Sequence, residues 1–109
     1  MTMTTSPFQD QLEHALNDAF SAEGAAIDER LVTRERTIDR DAETIVYLRV
    51  GGIELWLHES EAFIGGSVNG EELDDRFEAA AFRNSADLIN AFVPAALRLV
   101  KRQKGKMEA

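Results

Sequence analysis

Apolar residues near the N-terminus recur at the spacing of one helix face. Starting from Phe8, they follow at i+4, i+7, i+8, i+11 and i+12, which ends at Phe20 and gives one apolar stripe. The start signals are a capping serine, a proline suited to the first helical position and a capping-box glutamine: Ser6, Pro7 and Gln9. Gly24 is a natural helix stop. The pattern therefore predicts a helix over residues 7–23.

A second helical pattern occupies the C-terminal part of the chain. After an N-terminal helix signal in residues 84–87, apolar positions at helical spacing run from Leu88 to Val100. Pro94 lies inside this pattern. An interior proline removes one backbone hydrogen bond and clashes with the preceding turn. We therefore expect a helix with a kink or a break near residues 91–94.

The middle of the chain alternates between apolar and polar positions, as strands do. Residues 44–50 and 53–58 flank Gly51-Gly52, which is a two-residue hairpin signal. With this loop, paired residue numbers sum to 103 and one face of the hairpin is entirely aliphatic. The residues of this face, which must point into the core, are Val46, Leu48, Val50, Ile53, Leu55 and Leu57.

Further strands are expected on both sides of this hairpin. Residues 31–38 predict an edge strand, where charges are tolerated, and residues 39–43 predict a polar turn. A tight turn at Glu59-Ser60 returns the chain as a strand over residues 62–64. Residues 71–82 fit either a helix or a last strand over 76–79, and their alanines and the early acids Glu71 and Glu72 favour the helix.

The order of these elements predicts the fold class. We expect an α+β fold, in which an antiparallel β-meander of about four strands packs on N-terminal and C-terminal helices as a two-layer sandwich. Residues 6–101 form the single domain in this interpretation. A flexible leader over residues 1–5 precedes it, and a basic tail over residues 102–109 follows it.

The same register places three aromatic side chains next to each other on the face opposite the core. Tyr47 pairs with Trp56 across the hairpin, and Phe63 lies beside Trp56 after the next turn. Contiguous exposed apolar surface usually marks a partner site, and aromatic residues dominate interface energies. The alternative is that Phe82 or a terminal segment covers them as a second small core. The predicted partner-binding residues are these three and their neighbours on the same face: Tyr47, Trp56, Phe63, Arg49, Glu54 and His58.

Composition narrows the functional classes. The chain has 109 residues, with 20 acidic and 12 basic side chains, and its formal net charge is -8. This balance is typical of one soluble domain and argues against a nucleic-acid binder, because phosphates require basic side chains. The absence of cysteine excludes disulfides and thiolate chemistry. The basic C-terminal residues suit the negative end of a helix. Since neither a signal-peptide pattern nor a long apolar run occurs, we expect a cytoplasmic location and no membrane partner.

Candidate catalytic and metal-binding groups are few. His58 is a candidate base for Ser60, and one face of the first helix carries groups at metal-chelating spacing, namely Asp10, His14 and Asp18. That face lies opposite the apolar stripe, where solvated charges belong in any case. The acids of residues 71–75 do not follow the order of a calcium loop, and the glycines at 65–66 lack the lysine of a phosphate loop. We therefore predict no catalytic residue, no metal and no cofactor.

These observations predict a small, acidic, non-catalytic protein-binding module that self-associates as a homodimer through its aromatic sheet face. The alternative is an inhibitor or immunity-type protein, whose acids imitate nucleic acid toward a basic partner protein. A third hypothesis is a small metal-dependent enzyme that uses His58 or the helix face around His14. Salt separates the first two, because mimicry by charge weakens steeply as ionic strength rises.

Overall fold

The computed structural model describes residues 4–37 and 40–108. Six strands lie between two helices along the chain. The order is α1 (Pro7–Ala22), β1 (Glu29–Thr37), β2 (Arg40–Val50), β3 (Ile53–Leu57), β4 (Ala62–Val68), β5 (Glu71–Glu72), β6 (Asp75–Phe77) and α2 (Ser85–Glu108). A single 3-10 turn (Ala79–Ala81) precedes α2. Residues 1–3 of the predicted leader, residues 38 and 39 of the predicted strand and turn, and residue 109 of the predicted tail lie outside the described residues. The predicted α+β fold is confirmed.

The helix signals at the N-terminus act as predicted. Ser6 accepts a hydrogen bond from the backbone N–H of Gln9, and the Gln9 side chain accepts one from the backbone N–H of Ser6 at 2.8 Å. This reciprocal pair is a capping box, and it satisfies two backbone donors that would otherwise lack partners. The helix ends at Ala22, and Gly24 has a positive φ of 73°.

All six strands form one antiparallel sheet. The strand order is β1-β2-β3-β4-β5, and β6 also pairs with β4, so that β5 and β6 share the outer edge of β4. The predicted hairpin register is confirmed, because Val46 pairs with Leu57 and Leu48 with Leu55. The predicted turn at residues 59–60 is confirmed as well, since Trp56 pairs with Phe63.

Gly66 lets β4 bend where it meets the β2–β3 turn. Its φ is 83°, in the left-handed region, and a Cβ at this position would lie 2.2 Å from the carbonyl oxygen of Gly52. The backbone N–H of Ser67 donates to that same oxygen at 2.9 Å. Only glycine combines this backbone conformation with so close an approach.

The core lies between the two helices and one face of the sheet. Its fully buried side chains come from α1, from alternate positions of β2, β3 and β4, and from α2. The predicted aliphatic hairpin face is part of it, as are the apolar stripes of both helices. The largest fully buried apolar side chains of this core are Phe20, Phe92, Leu12, Leu16, Leu48, Ile53, Leu55, Leu57, Ile64 and Leu88.

The predicted helix over residues 71–82 is wrong. The Asn69-Gly70 turn, with both residues at positive φ, returns the chain beside β4, whose outer edge offers unpaired backbone groups. Residues 71–72 and 75–77 pair with this edge as β5 and β6. Between them, the backbone N–H of Leu73 donates to the carbonyl oxygen of Gly66 at 2.9 Å. The alanines that favoured a helix form only the 3-10 turn.

The predicted polar turn at residues 39–43 is wrong for residues 40–43, because β2 already begins at Arg40. The side chains of residues 40–43 are polar apart from Ala42, but the β1–β2 hairpin extends beyond β3 as a two-stranded ribbon. Charged and polar side chains are common on edge strands, so polar residues do not argue against a strand here.

Of the kink or break predicted near Pro94, the break does not occur, because α2 continues from Ser85 to Glu108 through the proline. Phe92 and Ala96 are fully buried on either side of the exposed proline. Their packing in the core holds both halves of the helix in place despite the lost hydrogen bond. Within the described residues, no helix has the length and apolar character needed to span a bilayer.

Three basic residues near the C-terminus, Lys101, Arg102 and Lys104, lie in the last turns of α2 and contact the acidic body. Lys104 Nζ donates to the carbonyl oxygen of Glu23 at 2.7 Å, and Lys101 Nζ lies 3.3 Å from the Glu23 carboxylate. Arg102 donates to Glu71 at 3.3 Å. These cations lie near the C-terminal end of α1, where positive charge is favourable.

A candidate protein-binding face on the sheet

The sheet face opposite the helices, called here the open face, carries one row of cross-strand neighbours from edge to edge. The ladders pair each member of this row directly with the next. The members of the row, from β1 to β6, are Leu31, Tyr47, Trp56, Phe63 and Arg76. The three aromatics lie side by side as the sequence predicted. Leu31 and Arg76 extend the row at its two ends.

The aromatic side chains of the row form two ring contacts, one between Tyr47 and Trp56 and one between Phe63 and His58. The ring centroids of Tyr47 and Trp56 are 6.5 Å apart, and the rings are nearly perpendicular at 78°. Phe63 makes a similar edge contact with His58 at 4.9 Å. These contacts leave the aromatics half-buried, whereas Leu31 is 58% exposed, more than any other large apolar side chain of the described residues.

Phe82 packs on the other side of the sheet. It stacks on Phe77 at 6.3 Å, and Phe77 in turn contacts Phe92 of α2 at 5.0 Å. Both Phe77 and Phe82 pack against the main core. Within residues 4–37 and 40–108, no helix or strand packs over the row.

Gly65 fixes where the Trp56 ring lies. A Cβ at Gly65 would be 2.4 Å from Cη2 of Trp56, so the indole rests directly on the backbone of β4. Gly65 pairs with Glu54, one step along β3 from the row. The missing side chain therefore creates the space that the indole fills, and it holds the ring flat against the sheet.

A charged row runs beside the aromatic one. Cross-strand pairing places Glu29, Arg49 and Glu54 next to one another on three strands. Arg49 donates to Glu29 at 2.5 Å. Among the described residues, none forms a hydrogen bond or an ion pair with the Glu54 carboxylate. A shallow groove of about 190 Å³ lies between the two rows, lined by Glu29, Leu31, Tyr47, Arg49, Glu54 and Trp56.

The hydroxyl of Tyr47 is held at the end of the groove by Glu35. Tyr47 donates to the Glu35 carboxylate, which also accepts from Thr33 at 2.8 Å. Burial, followed by the contact with Glu35, raises the pKa of Tyr47 to about 12. The hydrogen bond from Tyr47, and then that from Thr33, lowers the pKa of Glu35. Tyr47 is therefore a neutral donor, and Glu35 a carboxylate, at neutral pH.

His58, the sixth predicted site residue, lies at the other end of the open face. Its Nδ1 is 2.6 Å from Oε1 of Glu43, and the two side chains are only 19% and 13% exposed. Ser60, Phe63 and Arg76 line a cavity of about 580 Å³ next to this pair. A carboxylate can orient an imidazole for proton transfer. Within the described residues, however, His58 hydrogen-bonds to Glu43 rather than to Ser60.

The helix face that carried the metal hypothesis is exposed. His14 Nε2 lies 3.3 Å from Asp18, and both side chains are more than two-thirds exposed. Asp10 instead accepts a hydrogen bond from Thr5. Among the described residues, no three or more His, Asp or Glu side chains lie together in a group that could hold a metal ion.

Titration with zinc, manganese or calcium should therefore leave the melting temperature of the protein nearly unchanged. A single exposed His–Asp pair offers too few ligands for a tight site. The measurement is thermal unfolding with and without each metal. A saturable rise in melting temperature that His14→Ala removes would contradict the prediction and support the enzyme hypothesis.

Sequence reasoning missed two members of the row and one contact within it. The sequence does not place Leu31 and Arg76 in the row, because the registers of β1 and β6 depend on residues 40–43 and 75–77, for which it predicts a turn and a helix. The Gly65–Trp56 contact had a signal, since arithmetic on the β3–β4 turn already pairs Gly65 with Glu54. No protein-family model matches the chain, and no curated protein or solved structure matches it.

Proposed function

We propose that the chain is a non-catalytic protein-binding module of the cytoplasm that uses its open face as the interface and self-associates as a homodimer. The observation that carries the proposal is the row from Leu31 to Phe63, an apolar line across four strands that no helix or strand of the described residues covers. Continuous apolar surface of this kind is typical of partner sites.

The charges of β1 favour a face-to-face dimer over an edge-to-edge one. A two-fold pairing of two β1 edges centred on Val32 would place Arg30 opposite Arg34 and Glu29 opposite Glu35. Like charges directly opposite each other destabilise a strand pair. An edge strand with such charges resists pairing with its own copy, which leaves the open face for self-association.

The open face is compatible with its own copy. A two-fold axis along the row would set each aromatic of one copy against the same residue of the other. On either side of that axis, Glu54 of one copy would face His58 of the other, because Glu54 lies two residues before Trp56 and His58 two residues after it. The interface of such a dimer would therefore contain two equivalent pairs, each of a Glu54 carboxylate and a His58 imidazole from different copies.

Trp56→Glu should convert the dimer into a folded monomer, since a charge in the middle of the row would be buried without a partner. Mass by light scattering measures the change. In the wild type, Trp56 fluorescence should shift to longer wavelength as dilution dissociates the dimer.

Asn17→Glu is the matched control, because it adds the same charge at an exposed position of α1 and should leave the dimer intact. A monomeric wild type would refute self-association. Unfolding of the Trp56→Glu variant would instead show that the row is part of the structural core.

The alternative function is an acidic ligand of a basic partner protein, as in inhibitor or immunity-type proteins. The net charge of -8 favours it, and so does the position of the basic residues Lys101, Arg102 and Lys104, which contact the chain's own acids and carbonyls. Binding by charge should weaken strongly between low and high salt, whereas binding through the row should change little.

A further inference from the structure

We propose that the groove between Tyr47 and Trp56 binds an arginine side chain of a basic partner protein. This inference rests on the proposed function only in taking the open face as the interface. It goes beyond it in naming the chemical group that the face recognises. Three features of the groove support the proposal: its aromatic walls, a Glu54 carboxylate without a partner among the described residues, and its volume.

The aromatic walls form a corner that suits a cation. The rings of Tyr47 and Trp56 stand at 78° to each other with their centroids 6.5 Å apart. Gly65 supports the indole from below, and Glu35 holds the tyrosine hydroxyl. Cations bind over aromatic faces, most strongly over tryptophan. Because both rings are fixed before binding, little conformational entropy is lost when a cation enters.

Glu54 supplies the negative charge at this corner. Its side chain is half-buried on the wall of the groove, and among the described residues it has no hydrogen-bond or ion-pair partner. Arg49, the cation beside it in the sheet, is engaged with Glu29. A half-buried carboxylate without a partner gains more from an incoming cation than one that is already paired.

The size of the groove and the chemistry of its walls select arginine. A volume of about 190 Å³ is below the roughly 300–1,000 Å³ of small-molecule sites, so it suits one long side chain. The guanidinium group of arginine is planar, so it can stack on an aromatic ring and donate two parallel hydrogen bonds to a carboxylate. The ammonium group of lysine can neither stack in this way nor donate such a pair of bonds. The acidic surface around the groove attracts a basic partner protein as a whole.

The experiment is an NMR titration of the wild-type chain with a short capped peptide that carries one arginine between neutral residues. Trp56 is the only tryptophan, so its indole N–H gives one resonance that reports on the groove. We expect saturable shifts of this resonance with the arginine peptide. The same peptide with citrulline, which keeps the shape and loses the charge, should cause none, and a lysine peptide should bind more weakly.

Two variants test the role of Glu54. Glu54→Gln should raise the dissociation constant of the arginine peptide about five- to tenfold, since it removes the charged acceptor and keeps the shape. Glu72→Gln is the matched control, because it removes the same charge from an exposed position on β5 and should leave the constant unchanged. Thermal unfolding of both variants checks that they fold.

The proposal is overturned by equal binding of the citrulline peptide, by lysine binding at least as tightly as arginine, or by equal weakening in both variants. The last result would mean that the acidic surface attracts the peptide without the groove. Self-association is measured separately by light scattering. Because a face-to-face dimer would cover the groove, the titration is carried out at a protein concentration at which light scattering shows the monomer. A chain that stays monomeric at every concentration and binds the arginine peptide would refute the homodimer alone, whereas a chain that dimerises on concentration and does not bind the peptide as a monomer would refute the groove alone.

Discussion

Leu55→Ala should lower the free energy of unfolding by about 2–5 kcal/mol. Leu55 lies at the centre of the core side of the sheet, paired with Leu48 on β2 and Ile64 on β4, and all of its surface is buried (0% exposed). Removing its isopropyl group leaves a cavity that neighbours on three strands cannot close without moving the ladder. Urea denaturation measures the loss as a shift of the midpoint at constant slope.

Leu31→Ala is the control for this change, because it removes the same atoms from a strand position on the exposed side of the sheet. Measured at a protein concentration at which light scattering shows the monomer, it should cost less than about 0.5 kcal/mol. A Leu55→Ala variant as stable as the Leu31→Ala variant would show that the β2–β3–β4 register is not the one described.

Gln9→Glu should destabilise the protein by about 2–4 kcal/mol at neutral pH. Gln9 is fully buried (0% exposed), and its Nε2 donates to the carbonyl oxygens of Thr44 and Leu57, at 2.8 and 2.7 Å. One side chain of α1 thus joins β2 to β3 where the strands separate. A carboxylate at position 9 keeps the shape but cannot donate, and each buried carbonyl left without a donor costs about 1–3 kcal/mol.

The destabilisation caused by Gln9→Glu should increase with pH. Burial beside two carbonyl oxygens disfavours the charged form, so the pKa of a carboxyl at position 9 is higher in the folded state than in the unfolded state. The free energy of unfolding of the Gln9→Glu variant, relative to that of the wild type, is therefore highest below the ordinary Glu pKa of about 4.3. It falls as pH rises through the folded-state pKa.

Gln11→Glu makes the same substitution at an exposed position of α1 and should change stability by less than about 0.5 kcal/mol. Denaturation midpoints of both variants and of the wild type between pH 4 and pH 8 give the comparison. A Gln9→Glu variant that follows the wild type at every pH would show that the two hydrogen bonds to Thr44 and Leu57 do not hold the sheet.

The elements that the sequence predicted well are those specified by local signals. The capping box at Ser6 and Gln9 needs only four consecutive residues, and the Gly51-Gly52 loop sets the register of the hairpin by parity. From these two features follow the core face of the sheet and the neighbouring positions of Tyr47 and Trp56.

The features that escaped prediction depend on contacts between distant segments. Residues 71–77 become strands because β4 has a free edge, and nothing within the segment itself encodes that edge. The second role of Gln9, as a donor to two strands, requires knowing where α1 crosses the sheet. The pairing of Leu31 with Tyr47 depends on the β1–β2 register. The sequence does not predict this register, because the polar residues around position 40 are typical of a turn rather than of the start of β2.

The order of the strands in the sheet also has a consequence for how the protein folds. From β1 to β4, each strand pairs with its predecessor in the chain, and β5 and β6 both return to β4, so every ladder closes a short loop. The packing of α1 on α2 instead joins segments from opposite ends of the sequence, and its closure entropy is the largest in the fold. We therefore expect a transition state built around the central hairpin, with the two helices docking on each other last.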